Sequence, residues 1–296
     1  MSVMVAPVPW YGGKAQWADW IVAHLPPHRV YVEVFGGSGA VLFSKRPAAL
    51  EVFNDLHEGI THFYRVLRDP DLFPRLQIRV ALQPYARADF EAWRGEGWRQ
   101  GTDDPVEQAA RWWFVARTAF SGNGAAPNPS WSFNRTPTGD NVRKWLEAID
   151  HLPAWHARLR RVQIDRLDWR EVLNRYDGPD TVFYCDPPYV PETRVHQGSY
   201  QHELTLADHA DLVAALLALR GQAILSGYVH PVYAPLEAAG WRRLVREVPL
   251  RAQNSAVSAE ARRQECLWIS PGAQAQMTWE FPASDAGEEA SHAAID

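Results

Sequence analysis

Thr181-Val182-Phe183-Tyr184-Cys185 ends abruptly in Asp186-Pro187-Pro188-Tyr189, and no other stretch restricts the chain so tightly. A short run of β-branched, aromatic and small apolar residues predicts a buried strand. Neither proline can donate to a sheet and each fixes φ, so the chain leaves the strand in a rigid turn. That turn presents Asp186 and the carbonyls beside it at the carboxyl end of a strand, where open α/β sheets place their ligands. Tyr189 supplies a flat ring a few residues on. Acceptors beside a ring suit a planar substrate that carries an amino group. The plain alternative is an ordinary turn with Asp at its first position, and the rest of the chain decides between them.

Val30-Tyr31-Val32-Glu33-Val34-Phe35 also reads as a strand, followed by Gly36-Gly37-Ser38-Gly39 and a helical stretch over 40–45. Strand, glycine turn and helix bring a small ligand against a helix N-terminus. A dinucleotide fingerprint needs a third spaced glycine, and Leu42 stands in its place, which counts against a nicotinamide cofactor. Leu50-Glu51-Val52-Phe53 is expected to form the next strand and ends in Asn54-Asp55. An acidic side chain there can accept both hydroxyls of a ribose. Capping of a helix expected over 56–67 is the competing role for Asp55. Trp10-Tyr11-Gly12-Gly13-Lys14 sets two glycines and a cation before a helix expected over 15–25, so the backbone there can approach a ligand or simply turn.

From about residue 69 to 161 the α/β rhythm breaks. Two helices, over 104–120 and 141–160, flank a Ser-, Gly-, Asn-, Pro- and Thr-rich loop at 121–140 that is too long for a mere connection. Asn123, Asn128, Trp131, Asn134 and Arg135 lie in it, and such side chains reach base edges or phosphates. Between Arg111 and Arg175 eleven Lys/Arg face six Asp/Glu, a local balance of +5 in a chain of net charge −5. That asymmetry suggests one basic face on an acidic body, or a solvated helix face. Alternation resumes with a strand at 162–165, a helix at 168–176 and the strand before Asp186. A second loop, 190–203, holds Arg194, His196, Gly198 and Tyr200. Thr205 is placed to cap a helix over 206–220, a strand at 222–226 ends in Gly227-Tyr228, and strands at 241–248 and 264–269 close the sheet. The tail from 271, poor in apolar residues, is expected to be disordered.

A chain of 296 residues, 46% of them hydrophobic, can bury a full core as one large α/β domain or two modest ones. No secretory pattern and no apolar run near 18 residues is present, so a soluble, cytoplasmic protein is expected. Cys185 and Cys266 sit in strand-like runs as buried thiols, and two Cys with scattered His make no zinc site.

Taken in order, Trp10-Tyr11-Gly12-Gly13-Lys14, Glu33-Val34-Phe35-Gly36-Gly37-Ser38-Gly39, Asn54-Asp55, a long insert and Asp186-Pro187-Pro188-Tyr189 resemble the Dam-like (N6-adenine-specific) DNA methyltransferases over roughly residues 7 to 270. The resemblance implies a Rossmann-like S-adenosylmethionine-dependent methyltransferase sheet with an inserted, mainly helical target-recognition lobe. Residues 1–68 and 162–270 would form the catalytic domain and 69–161 the lobe. It implies S-adenosylmethionine as cofactor and double-stranded DNA as substrate. A monomer is expected, with a cognate restriction endonuclease as a conceivable partner and neither metal nor membrane involved. Trp10 and Lys14 would border the cofactor, the turn Phe35, Gly37 and Gly39 would pack on it, and Glu33 would lie near it. Asp55 would hold the ribose. Asp186 and the Pro187 carbonyl would accept the adenine amino hydrogens, Asp186 also bordering the cofactor, and Tyr189 would stack on the base. In the lobe, Arg143, Lys144 and Arg160 are the candidate phosphate contacts, and Asn134 and Arg135 the candidate base contacts.

The chain departs from the resemblance in two places. Ser226-Gly227 stands where many members have Ser-Asn, and the insert lacks the Arg-x-Asn-x-x-Gly pattern of GATC-reading members, so GATC is not assumed as the target. Methylation of RNA or of a protein amide would use a similar tetrapeptide, more often beginning with Asn. A nucleic-acid-binding module without catalysis would not need Asp186.

Overall fold

The computed structural model describes residues 4–10, 12–126, 128–134, 136, 139–193, 202–249 and 262–274. Seven strands form one sheet: β1 (Val30–Glu33), β2 (Leu50–Asn54), β3 (Val162–Asp165), β4 (Thr181–Cys185), β5 (Gln222–Tyr228), β6 (Arg242–Pro249) and β7 (Arg262–Ile269). Their order is β3-β2-β1-β4-β5-β7-β6. The first five run parallel, and β7 lies antiparallel between β5 and β6. Val32 pairs with Val52 on one side and Phe183 on the other, all fully buried, as expected of a central parallel sheet covered on both faces. This is the α/β, Rossmann-like architecture anticipated from the sequence. Chain order reverses between β1 and β4, and such a switch point opens a crevice at the carboxyl ends of those two strands. The glycine turn and the Asp186 turn both leave the sheet there.

The helices are α1 (Ala18–Val22), α2 (Ala40–Ser44), α3 (Glu58–Arg68), α4 (Phe73–Ala81), α5 (Arg87–Trp93), α6 (Pro105–Thr118), α7 (Asn141–Leu159), α8 (Trp169–Tyr176), α9 (Leu206–Leu217) and α10 (Ala234–Ala238). Thr205 caps α9 as expected, in a reciprocal pair with Asp208. Asp104 caps α6 through the Val106 amide, and Asp140 caps α7 through that of Arg143. The helix expected over 15–25 is only α1. Trp17 N–H closes on the Lys14 carbonyl in a tight turn, and Pro26 disfavours helix in the residue before it. Residues 271–274 correct the expectation of a disordered tail from 271. They form a helical turn with Ala273 fully buried, and Gln274 Nε2 donates to the Gly240 and Ile269 carbonyls at 3.0 Å each. The remainder of the tail lies outside the described residues.

Helices α4 to α7 make up most of the described insert, with a largely non-helical loop between α6 and α7, and its core is continuous with that of the sheet. Phe63 of α3 stacks on Trp113 of α6 at 5.4 Å, and Trp113 meets Trp145 of α7 at 4.9 Å. Trp113 is completely buried and donates its indole N–H to the Pro7 carbonyl at 3.1 Å. The same apolar cluster contains Tyr31 of β1 and Phe53 of β2. The last turn of α7 is tied to the sheet by Arg158, which donates to Glu51 of β2 at 2.5 and 2.8 Å, while Lys45 approaches the same carboxylate at 2.6 Å. Among the described residues no helix is long and apolar enough to cross a membrane, and no group of three or more His, Cys, Asp or Glu could hold a metal ion.

Candidate active site

At the switch point lies a cavity of about 440 Å³. Trp10, Lys14, Glu33, Phe35, Gly37, Asp55 and Asp186, from four separate stretches of sequence, all line it. Gly39 does not. It takes φ +69° and caps α2, so its part is to turn the chain from β1 into the helix. Gly37, at φ +50°, faces the cavity, and a Cβ there would stand 3.0 Å from the Trp10 indole. Any side chain would therefore displace one wall of the site.

Glu33 closes β1 and is almost wholly buried. Burial pushes its carboxyl up to about 8, against hydrogen bonds from the Tyr31 hydroxyl at 3.0 Å and the Leu42 amide at 2.9 Å. Asp55, just beyond β2, accepts the Gly37 N–H at 2.6 Å on one oxygen and the His57 N–H at 2.7 Å on the other. It thus fixes the glycine turn and the entry to α3 together. A carboxylate has about four acceptor sites, so each oxygen retains capacity toward the cavity.

Asp186 lines the same cavity. Lys14 Nζ lies 2.8 Å from its Oδ1, 3.1 Å from the Gly12 carbonyl and 3.7 Å from Glu265 Oε1. Burial raises the carboxyls of both Asp186 and Glu265, and the Lys14 ammonium pulls each back. Tyr189 is 8% exposed and does not line the cavity. Its hydroxyl donates to Glu265, its ring meets Tyr228 edge-on at 4.6 Å, and Lys14 Nζ stands 4.7 Å from its centroid. Pro187 is buried and Pro188 contributes to the cavity wall. Cys185 is fully buried with its thiol pushed far above the ordinary range, so it supplies no nucleophile.

Several lining residues escaped sequence reasoning. Leu167 and Asp168 come from the loop after β3 and Trp169 from the start of α8, which the rule of ligands at strand carboxyl ends could have supplied. Asn54 holds that loop by accepting from the Leu167 N–H at 2.8 Å and donating to the Leu167 and Val34 carbonyls. His57 packs edge-on against Trp10 at 5.4 Å. Glu265 had one signal, a lone carboxylate opening the apolar run Cys266-Leu267-Trp268-Ile269.

The candidate recognition residues stand apart from the cavity. Asn134 is exposed in the loop before α7, and Arg135 lies outside the described residues, as do Arg194, His196, Gly198 and Tyr200 of the second loop. Arg143 is exposed but already paired with Asp140 at 2.5 Å and Glu147 at 2.8 Å. Lys144 and Arg160 are exposed without an ion pair among the described residues. Part of the +5 balance is met by carboxylates from outside that stretch. Arg158 pairs with Glu51, Arg166 with Glu58, and Arg170 with Asp208 and Asp211.

A family model described as D12 class N6 adenine-specific DNA methyltransferase matches residues 10–237. The DNA adenine methylase of Vibrio cholerae serotype O1 is 27% identical over 206 residues, covering 69% of this chain and 72% of the relative. The type II methyltransferase M.MjaIII of Methanocaldococcus jannaschii is 25% identical over 199 residues, 62% of this chain and 68% of that one. The DNA N-6-adenine-methyltransferase of Escherichia phage P1 is 26% identical over 215 residues, 70% of this chain but 27% of the relative.

Proposed function

Since the chain belongs to the D12 class N6 adenine-specific DNA methyltransferase family, we propose that the switch-point cavity binds S-adenosylmethionine and that Asp186, Pro187 and Tyr189 receive the target adenine beside it. The enzyme methylates the N6 amino group of adenine in DNA. The assignment of cofactor and residues rests chiefly on the convergence of seven expected cofactor residues on one cavity. Its volume, about 440 Å³, lies within the range of small-molecule sites. The residues fit the cofactor. Asp55 offers carboxylate capacity for ribose hydroxyls, Gly37 and Trp10 make a wall no side chain may thicken, and Lys14 and Glu33 add polar groups to the lining.

Bound there, S-adenosylmethionine supplies a methyl group on a sulfonium, an electrophile that needs no protein nucleophile. The difficulty lies with adenine, whose amino lone pair is delocalised into the ring. Asp186 and the Pro187 carbonyl, as fixed acceptors for the two amino hydrogens, favour a tetrahedral nitrogen as the bond forms. Such preorganised electrostatics is usually the largest catalytic term. The target base cannot be reached inside a duplex, so it must flip out at a cost of a few kcal/mol. Stacking on Tyr189 would return about 1–3 kcal/mol of that.

Calorimetric titration with S-adenosylmethionine tests the cofactor assignment. Asp55→Ala removes hydrogen bonds to a charged acceptor, each worth about 1.5–3 kcal/mol, so cofactor affinity should fall roughly ten- to a hundred-fold while DNA affinity holds. Unchanged affinity would leave Asp55 as a turn residue serving only Gly37 and His57.

We assign target recognition to the insert. Lys144→Ala and Arg160→Ala should each flatten the dependence of DNA affinity on salt by about one unit, equally for all sequences. Arg143→Ala should do less, because Asp140 and Glu147 already neutralise it. Asn134→Ala should instead relax site choice, a good base contact being worth about 1–3 kcal/mol. Unaltered slopes and site preference together would move recognition to the loop at 190–203.

A further inference from the structure

We propose that Glu265 is a positioning residue that receives the Lys14 ammonium when the target adenine enters. The inference rests on the reading of Asp186 as the acceptor for the adenine amino group. Both places that reading gives to the base are held here by one cation. Lys14 Nζ sits 2.8 Å from Asp186 Oδ1, where an amino hydrogen would donate, and 4.7 Å from the centre of the Tyr189 ring, where the base would stack. Asp186 keeps further acceptor capacity, but the ring face does not, so the ammonium must move off Tyr189 before the base can stack there.

Where it can go is set by its surroundings. Lys14 and Glu265 side chains are each 7% exposed, so the cation cannot simply swing into water without unwinding its stem. A buried charge needs a partner, and leaving one unpaired costs far more than leaving it in place. Glu265 offers a second carboxylate, its Oε1 3.7 Å from Nζ, and less than an ångström of movement shortens that ion pair to hydrogen-bond distance. The Gly12 carbonyl, at 3.1 Å, can follow the ammonium through that shift. Glu265 is also anchored, because the Tyr189 hydroxyl donates to the same oxygen. It sits on β7 opposite Tyr228 of β5, whose ring meets Tyr189 edge-on. The strand pair thus holds the receiving carboxylate, and through it the stacking ring, at a set distance from Asp186. A glutamine at 265 would still accept from Tyr189 but could not pair with the ammonium.

That difference supplies the test. Affinity is measured for two duplexes, one with the target adenine and one with an abasic site in its place, in the presence of sinefungin, which has no transferable methyl group. Glu265→Gln should weaken binding of the adenine duplex about ten-fold, the cost of one lost charged partner, and leave the abasic duplex unchanged because nothing there displaces Lys14. In a Lys14→Met background the same substitution should change neither affinity more than two-fold. Equal losses in both backgrounds would mean that Glu265 only steadies Tyr189, and that overturns the proposal, as does no loss in either. Thermal unfolding checks each variant. If Glu265→Gln fails to fold, Glu265→Asp, with the charge set back by one methylene, must show the same dependence on Lys14. Failure of the underlying acceptor reading is seen separately, as full methyl transfer by Asp186→Ala.

Discussion

Asp186→Ala should leave a folded protein whose methyl-transfer rate is about a hundred- to a thousand-fold lower, the usual cost of removing one preorganised electrostatic group from a transition state. The side chain stands on a turn outside the sheet and pairs with Lys14. Its removal also relieves the raised carboxyl of Glu33, which burial chiefly and Asp186 in part push up. Glu265, 3.7 Å away, remains to pair the Lys14 ammonium, so the protein should stay folded. Asp186→Asn is expected to be nearly as impaired, since an amide offers one acceptor and an unwanted donor. Initial rates on duplex DNA, with a thermal melt of each variant, measure both effects. Turnover near the parent's in a folded Asp186→Ala protein would remove the assigned role.

Trp113→Ala should destabilise the whole protein by about 3–5 kcal/mol, the range for truncating a buried Trp. Its ring bridges Phe63 of α3 and Trp145 of α7, and its N–H satisfies the Pro7 carbonyl. Because one apolar cluster runs from Tyr31 and Phe53 into the lobe, sheet and insert should lose structure in a single step. Urea unfolding followed by Trp fluorescence and by far-ultraviolet circular dichroism checks this. Two separated transitions, only one of them shifted by the substitution, would make the lobe an independent domain.

The sheet was legible because its strands are short apolar runs ending in punctuation, glycines after β1, Asn54-Asp55 after β2 and two prolines after β4. Those stops are also where the ligand crevice lies, so most of the candidate site could be read with the strands. Capped helices were legible for a similar reason, Asp104 and Thr205 marking their starts. α4 and α5 were not. Ile78 and Leu82 are 64% and 78% exposed, which blurs the spacing of Leu76 and Val80, and α5 buries only Phe90. The pairing of Lys14 with Asp186 and Glu265 could not be read either, since it joins three stretches through tertiary contact alone. Charge counting could not tell which arginines of the insert are already paired, since Arg158 meets Glu51 and Arg143 meets Asp140 and Glu147 only through the folded chain.

Incubation with tritium-methyl S-adenosylmethionine and duplex DNA, followed by digestion to nucleosides and chromatography, tests the account most directly. Label should appear in N6-methyldeoxyadenosine with the parent enzyme and fall by at least about a hundred-fold with Asp186→Ala. Label in RNA, in protein or in a methylated cytosine, or equal incorporation by the two proteins, would contradict it.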